Sequence, residues 1–143
     1  MVSITKMSLF IITVFLIILP VSNLQAIESV AFVMQLTKSG DNYGHRHAFL
    51  QIDKVLDDLG EDKLNIVVVA YGDGIHALLA ENEGTSQLLS KLANRGVTFK
   101  ACRISMNAWD LKEDQFKLEV EFVPAGAPEM INLQMQEHKY WRP

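Results

Sequence analysis

Two nearly unbroken apolar runs, rich in β-branched residues, lie in the first half of the chain: VAFVMQL at 30–36 and NIVVVA at 65–70. Runs without polar alternation predict strands that are covered on both faces, as in a parallel sheet between helices. The segment between them, HAFLQIDKVLDDLG, has apolar residues at helical spacing and ends at Gly60. A strand, a helix and a second strand in this order predict a βαβ unit.

Strand and helix patterns continue to alternate in the second half of the chain. Helical spacing marks TSQLLSKLANRG (85–96) and APEMINLQMQ (127–136), and strand patterns mark VTFKAC (97–102), LEVEFV (118–123) and KYWRP (139–143). LEVEFV alternates regularly between apolar and acidic residues, which favours a position near the sheet edge. The whole order predicts an α/β fold: a three-layer sandwich with an open, mostly parallel sheet of about five strands.

Residues 1–26 have the pattern of a secretory signal peptide. Lys6 precedes the apolar run MSLFIITVFLIIL, Pro20 ends that run, and the small residue Ala26 stands at the expected cleavage point. We expect residues 27–143 to form one mature domain that is secreted, into the periplasm, and free of the membrane after cleavage. The apolar run is shorter than the roughly 20 residues of a membrane span, and an uncleaved N-terminal anchor is the alternative.

The composition argues against several classes of partner. The chain carries 13 Lys and Arg against 17 Asp and Glu, a formal net charge of −4, and it contains no basic cluster. We therefore expect neither nucleic acid nor an anionic membrane surface as a partner. Hydrophobic residues make up 49% of the sequence, so the domain can bury a core without disulfides, and its one cysteine is available for another role.

Reactive side chains follow the first three predicted strands. The segments that leave these strands are TKSGDNYGHRH, YGDGIH and CRISMN, and they carry His45, His47, His76, Cys102 and Arg103. In a parallel sheet the carboxyl ends of the strands share one edge, where ligands and reactive groups collect. We therefore expect these side chains to lie along a single edge of the sheet.

Cys102 is the leading candidate for chemistry. It ends a predicted strand, and a short helix is expected to begin near Ser105. A thiol at a helix start, beside the cation of Arg103, has a lowered pKa, and the thiolate is the form that attacks sulfur. We assign Arg103 the role of an electrostatic helper and His76 that of a proton carrier. The alternative is that Cys102 is a small buried filler at the end of a strand.

Two other motifs have weaker support. GDGIHA matches G-x-G-x-x-A, but it follows the second strand and its Asp73 would repel a pyrophosphate. We therefore expect a tight turn with glycines at positive φ, and no nucleotide cofactor. His45, His47, His76 and Cys102 together would suit zinc or copper, although loop histidines are more often solvated than bound to metal. The prediction therefore includes no metal and no cofactor, with a metal site as the alternative.

In four segments the chain resembles the DsrE/DsrF-like family, and within it the secreted single-domain branch: VVVAYGDGIHALL, LSKLANRGVTFKACRISM, FVPAGAPEMINLQ and the ending YWRP. The resemblance implies a DsrE-like fold and a place in sulfur metabolism. Cys102 matches the cysteine that carries sulfane sulfur as a persulfide and passes it on. The implied partners are a sulfur donor or acceptor protein or a small sulfane-sulfur compound, and the implied assembly is a homo-oligomer, a trimer or a hexamer.

The predicted function is therefore that of a sulfur carrier of the sulfurtransferase type, with a persulfide on Cys102. Family resemblance alone does not establish that relay chemistry, because one fold hosts many functions. Two alternatives stay open. One is a non-enzymatic periplasmic module that binds a small ligand or a metal, and the other is an oligomeric scaffold. In both alternatives Cys102 is structural.

Overall fold

Five strands form one sheet in the computed structural model, which describes residues 29–38 and 42–143. The strands are β1 (Val30–Leu36), β2 (Leu64–Ala70), β3 (Thr98–Cys102), β4 (Val120–Val123) and β5 (Lys139–Trp141). Their order is β4-β3-β2-β1-β5, and every pairing is parallel. The predicted α/β fold with a mostly parallel sheet of about five strands is confirmed, with all neighbours parallel. The predicted signal peptide lies outside the described residues.

Four helices connect these strands: α1 (Asn42–Leu59), α2 (Ser86–Ala93), α3 (Arg103–Ala108) and α4 (Gly126–Met135). Short 3₁₀ helices occupy Glu61–Lys63, Gly72–Leu78 and Glu113–Gln115. Within the two described stretches, no helix is both long enough and apolar enough to cross a membrane.

The sheet has a larger core on one face and a smaller core on the other. On the first face, α1, α2 and α3 pack over strand residues such as Met34, Val68 and Phe99. On the second face, α4 packs over β1 and β2, and the buried residues of this smaller core are Val33, Val67, Val69, Met130 and Leu133. Because strand side chains alternate between faces, the continuous apolar runs of β1 and β2 supply both cores.

The fourth strand is shorter in the structure than its sequence pattern predicted. LEVEFV predicted a strand at 118–123, but β4 begins at Val120, whose N–H is bonded to the carbonyl of Lys117 in a turn. Leu118 is fully exposed. The alternation is real, but its first two residues belong to the turn that brings the chain back to β3. The position of β4 at the sheet edge agrees with the sequence.

The GDGIHA segment is a 3₁₀ helix and not a simple tight turn. Its two glycines have different roles. Gly72 has φ 56°, as expected for a left-handed position. Gly74 is required for close packing instead, because a Cβ there would lie 2.2 Å from the carbonyl oxygen of Leu36. The segment therefore packs tightly against the end of β1, beside the carboxyl edge of the sheet.

Candidate functional site

Cys102 is the last residue of β3 and the residue that immediately precedes α3. Its neighbour Ala101 contributes to the larger core, so the alternation of the strand turns Cys102 toward the face that α4 covers. Across the sheet it pairs with Val123 at the end of β4. Cys102 is only 3% exposed, so its sulfur is enclosed where two helices begin.

Hydrogen-bond donors from both of these helices surround the sulfur. The backbone N–H of Gly126, the first residue of α4, donates to Cys102 Sγ at 3.2 Å. From α3, the Ser105 hydroxyl and the N–H groups of Ser105 and Ile104 act on the charge of the sulfur and lower the pKa of the thiol. Donors of this kind favour an anionic sulfur over a neutral thiol.

The Ser105 hydroxyl is oriented by a second hydrogen bond. Ser105 is buried, and its Oγ accepts from the Gly72 N–H at 2.8 Å. A hydroxyl has a single hydrogen, and the Gly72 N–H occupies one of its lone pairs. The hydroxyl hydrogen is therefore free to point at Cys102 Sγ. Gly72, in the segment after β2, thus helps to orient the Ser105 hydroxyl on α3.

The pKa of the Cys102 thiol reflects two opposing effects. Burial by itself raises the pKa, because it disfavours the charged thiolate. The hydrogen bonds from the Ser105 hydroxyl and from the backbone N–H groups of Ser105, Gly126 and Ile104 lower it, and together they outweigh burial. The net result is a thiol with a pKa below its ordinary value, which is unusual for a cysteine so little exposed.

Arg103 lies next to Cys102 in sequence, but its guanidinium has other partners. It forms an ion pair with Glu113, and it stacks over the Phe122 ring with 5.3 Å between the guanidinium carbon and the ring centroid. Both charged side chains of this pair are about half exposed. The predicted helper is therefore on the edge of the site, and its charge is shared with a carboxylate. Its role as a helper stays a prediction.

His76 lies near the other end of α3. Its Nδ1–H donates to the carbonyl oxygen of Asp73 at 3.0 Å, and its ring meets the Trp109 ring edge-on, with centroids 4.8 Å apart. Trp109 follows the last residue of α3, whereas Cys102 precedes the first. The six residues of this helix span roughly 9 Å at 1.5 Å per residue. The predicted role of proton carrier therefore requires a water or substrate atom between His76 and the sulfur, and it stays a prediction.

The histidines of the metal alternative have separate hydrogen-bond partners. His45 is buried, and its Nε2–H donates to the carbonyl of Lys38 at 2.9 Å. His47 Nε2 lies 2.8 Å from the side-chain amide of Gln51, one turn further along α1. Among residues 29–38 and 42–143, no group of three or more His, Cys, Asp or Glu side chains could hold a metal ion. The described part of the chain thus offers no support for the metal module.

The fold and the position of the cysteine agree with the comparison to known proteins. A sequence model of the DsrE/DsrF-like family matches residues 28–141. The chain belongs to this family. Among solved structures, it is similar to a protein of unknown function from Methanobacterium thermoautotrophicum, with 26% identity and a TM-score of 0.70 over 81% of this chain and 99% of that one.

The ychN protein from E. coli shares the fold as well, with 15% identity and a TM-score of 0.55 over 81% of this chain and 99% of its own. No curated protein matches the chain. The family and the DsrE-like fold implied by the sequence are therefore confirmed. The sulfur chemistry is a separate question, which depends on the surroundings of Cys102.

Two residues of this site were not anticipated from the sequence: Ser105 and Gly126. Ser105 is three positions after the cysteine, where a residue in a first helical turn can donate back to the helix start. Gly126 stands two residues before Pro128, a residue often found at the start of a helix. These local signals mark helix starts. They do not reveal that both starts meet at one sulfur atom.

Proposed function

We propose that this protein carries sulfane sulfur as a persulfide on Cys102. The proposal is supported above all by the donors on the Cys102 sulfur, which favour its anionic form although the residue is 3% exposed. A cysteine that served only as an apolar filler would gain nothing from the Gly126 N–H that donates to its sulfur, or from the groups on α3 that lower its pKa. Membership in the DsrE/DsrF-like family makes sulfur chemistry the natural use of such a thiolate.

The loading step needs no external oxidant, because sulfane sulfur is already at the oxidation level of elemental sulfur. With thiosulfate as donor, the Cys102 thiolate attacks the outer sulfur, a new S–S bond forms, and sulfite departs with the electron pair of the broken bond. With a donor persulfide, the leaving group is the donor's thiolate. In both cases the product is Cys102 persulfide, and one S–S bond replaces another.

The delivery step reverses this arrangement. An acceptor thiolate attacks the outer sulfur of the persulfide, and the Cys102 thiolate leaves. Thiols with a low pKa leave faster, because their anions are more stable. The donors from Ser105 and Gly126 thus assist both steps, first by keeping the attacking thiolate ionised and then by stabilising the same thiolate as it departs.

Intact-mass measurement tests this proposal. The folded protein, incubated with polysulfide or thiosulfate and desalted, should gain the mass of added sulfur, and dithiothreitol should remove it. Cys102→Ser should gain none. A wild-type protein that takes up no sulfur, or a Cys102→Ser variant that takes up as much as wild type, would exclude the carrier function. Ser90→Ala, a hydroxyl deletion on α2, is a matched control that should load like wild type.

Assembly and compartment belong to the same proposal. We propose that the chain acts as a trimer or hexamer outside the cytoplasm, after removal of residues 1–26. The exposed apolar side chains of Ile131, Met135 and Tyr140 on α4 and β5 support association, because large exposed apolar side chains favour contact with another surface. Light scattering on purified protein would give the assembly size, and mass spectrometry of protein from cell envelopes would give the mature N-terminus.

A further inference from the structure

Tyr71 directly follows β2, and extending the register of β2 with β3 by one residue places it beside Cys102. The register pairs Ala70 of β2 with Ala101 of β3, so the next residues along the two strands are Tyr71 and Cys102. Both turn toward the face that α4 covers, and Tyr71 packs against the smaller core there. Neighbouring parallel strands lie about 4.8 Å apart, so this register brings the backbones of Tyr71 and Cys102 close together at the carboxyl edge.

Tyr71 also touches the residue that holds the sulfur. A Cβ placed on Gly126 would lie 2.7 Å from the Cβ, Cγ and Cδ1 atoms of Tyr71. The tyrosine therefore packs directly on the Gly126 Cα, while the Gly126 N–H donates to Cys102 Sγ. The absence of a side chain at position 126 is what permits both contacts at once.

The outer side of Tyr71 lines an open groove of about 370 Å³. α4 forms one wall of this groove, and Gln35 and Tyr140 form part of the other. The Tyr71 ring thus lies between the groove and the residues that enclose the sulfur. The other groups around the sulfur are backbone N–H groups, whose positions are fixed by the helices to which they belong, and the Ser105 hydroxyl, whose oxygen accepts a hydrogen bond from the Gly72 N–H. A tyrosine side chain moves by rotation about two dihedral angles.

A short hydrogen-bond chain holds this ring in place. The Gln35 amide donates to the Tyr71 hydroxyl, and the Tyr140 hydroxyl donates to Gln35 Oε1 at 2.5 Å. The three side chains come from β1, β5 and the end of β2. Tyr140 is 48% exposed, so the chain of hydrogen bonds runs from the protein surface to the ring beside Cys102.

We infer that Tyr71 is a specificity-determining residue that limits the size of the sulfur compound able to reach Cys102. While the ring is held by its hydrogen bond to Gln35, small linear sulfane-sulfur compounds reach Cys102 and bulky disulfides do not. A larger partner reaches the sulfur only when the ring turns into the groove and the hydrogen bond to Gln35 breaks. This inference rests on the proposed carrier function for its biological meaning, but the access it describes can be measured without any sulfur transfer.

The experiment compares two thiol reagents on the full chain. Methyl methanethiosulfonate is small, and 5,5′-dithiobis(2-nitrobenzoate) is bulky and aromatic. Rates are divided by the thiolate fraction of each variant, so that a changed thiol pKa does not imitate changed access. Tyr71→Ala should raise the rate with the bulky reagent by about tenfold or more, while the rate with the small reagent changes about twofold at most. Trp109→Ala, which removes an exposed ring at the far end of α3, should change neither rate.

Variants that keep the ring test the hydrogen-bond chain. Tyr71→Phe and Gln35→Leu each remove the bond that restrains the ring, and each should raise the bulky-reagent rate by about fivefold, as expected for the loss of one net hydrogen bond. These conservative variants decide the matter if Tyr71→Ala does not fold. If the ratio of the bulky-reagent rate to the small-reagent rate is unchanged in both variants, or in folded Tyr71→Ala, the inference is overturned.

The outcomes also separate this inference from the proposed function. If the protein never gains sulfur from polysulfide but Tyr71→Ala changes the reagent rates as expected, the carrier function is excluded and the role of Tyr71 in limiting access is supported. If the protein loads sulfur on Cys102 but substitution of Tyr71 leaves the reagent rates unchanged, the carrier function is supported and the role of Tyr71 in limiting access is excluded.

Discussion

Removal of the Ser105 hydroxyl is the sharpest test of the electrostatics around Cys102. Ser105→Ala deletes one oxygen from α3 and leaves the backbone N–H donors of Gly126, Ile104 and residue 105 in place. The Gly72 N–H loses its acceptor, but Gly72 is exposed and water can replace the serine oxygen. The protein should therefore fold normally, and the main change should be in the thiol pKa.

The size of this change follows from the contribution of one hydrogen bond. A hydrogen bond to a charged group contributes about 1.5–3 kcal/mol, against about 1 kcal/mol for one between neutral groups. The hydroxyl thus favours thiolate over thiol by about 1.4 kcal/mol, which is about a tenfold change in the ratio of the two forms. We expect Ser105→Ala to raise the pKa of the Cys102 thiol accordingly. Ser105→Thr retains the hydroxyl and should stay near the wild-type pKa.

The assay follows the ultraviolet absorbance of the thiolate against pH, with Cys102→Ser subtracted to remove the tyrosine signal. The chain has one cysteine, so the titration reports a single thiol. Alkylation rates give a second readout. Nucleophilicity rises with pKa at a Brønsted slope of about 0.45, so Ser105→Ala should react about threefold slower than wild type below both pKa values and about threefold faster above both. A titration curve and rate profile that coincide with wild type would refute the assignment of Ser105 as a donor to the sulfur.

Two further predictions concern other contacts in the structure. In Gly126→Ala, the new methyl group would lie 2.7 Å from Tyr71 and displace the start of α4. The pKa of Cys102 should therefore rise, and the free energy of unfolding measured in urea titrations should fall by about 1–3 kcal/mol. An unchanged thiol pKa would contradict the role of the Gly126 N–H. The hydrogen bond from Lys91 lowers the pKa of Asp53; burial opposes this effect and Arg95 adds to it. The Asp53 carboxylate therefore stabilises the fold at neutral pH, and this stabilisation is lost as the pH falls through its folded-state pKa. Asp53→Asn should therefore lower the free energy of unfolding by about 1 kcal/mol at neutral pH and by progressively less in acid, and a pH-independent difference would argue against the ion pair.

The sheet could be predicted because its signals are local. VAFVMQL corresponds to β1 residue for residue, and NIVVVA differs from β2 only by Leu64. The end of β3 at Cys102 also follows from local alternation, and that alternation placed the cysteine at the carboxyl edge. A parallel sheet then requires the strand ends to share that edge, so the approximate location of the site follows from the pattern alone.

The chemistry of the site depends on contacts between distant parts of the chain, and those could not be predicted in the same way. Gly126 is 24 positions from Cys102, and the two meet only because β3 and β4 pair and each is followed by a helix. The position of Arg103 in the sequence suggested a free cation beside the thiol, but its guanidinium forms an ion pair with Glu113. His76 likewise shares an edge with Cys102, but it contacts Trp109 at the other end of α3.

The pairing of β5 with β1 has a consequence for how the chain reaches its native state. β1 is synthesised before the other four described strands, and residues 139–141 supply its outer neighbour. Until they arrive, one side of an apolar strand offers unsatisfied N–H and C=O groups to any other polypeptide. Premature termination or C-terminal proteolysis that removes these three residues should therefore cause self-association through β1, even though Cys102 and its donors would be untouched.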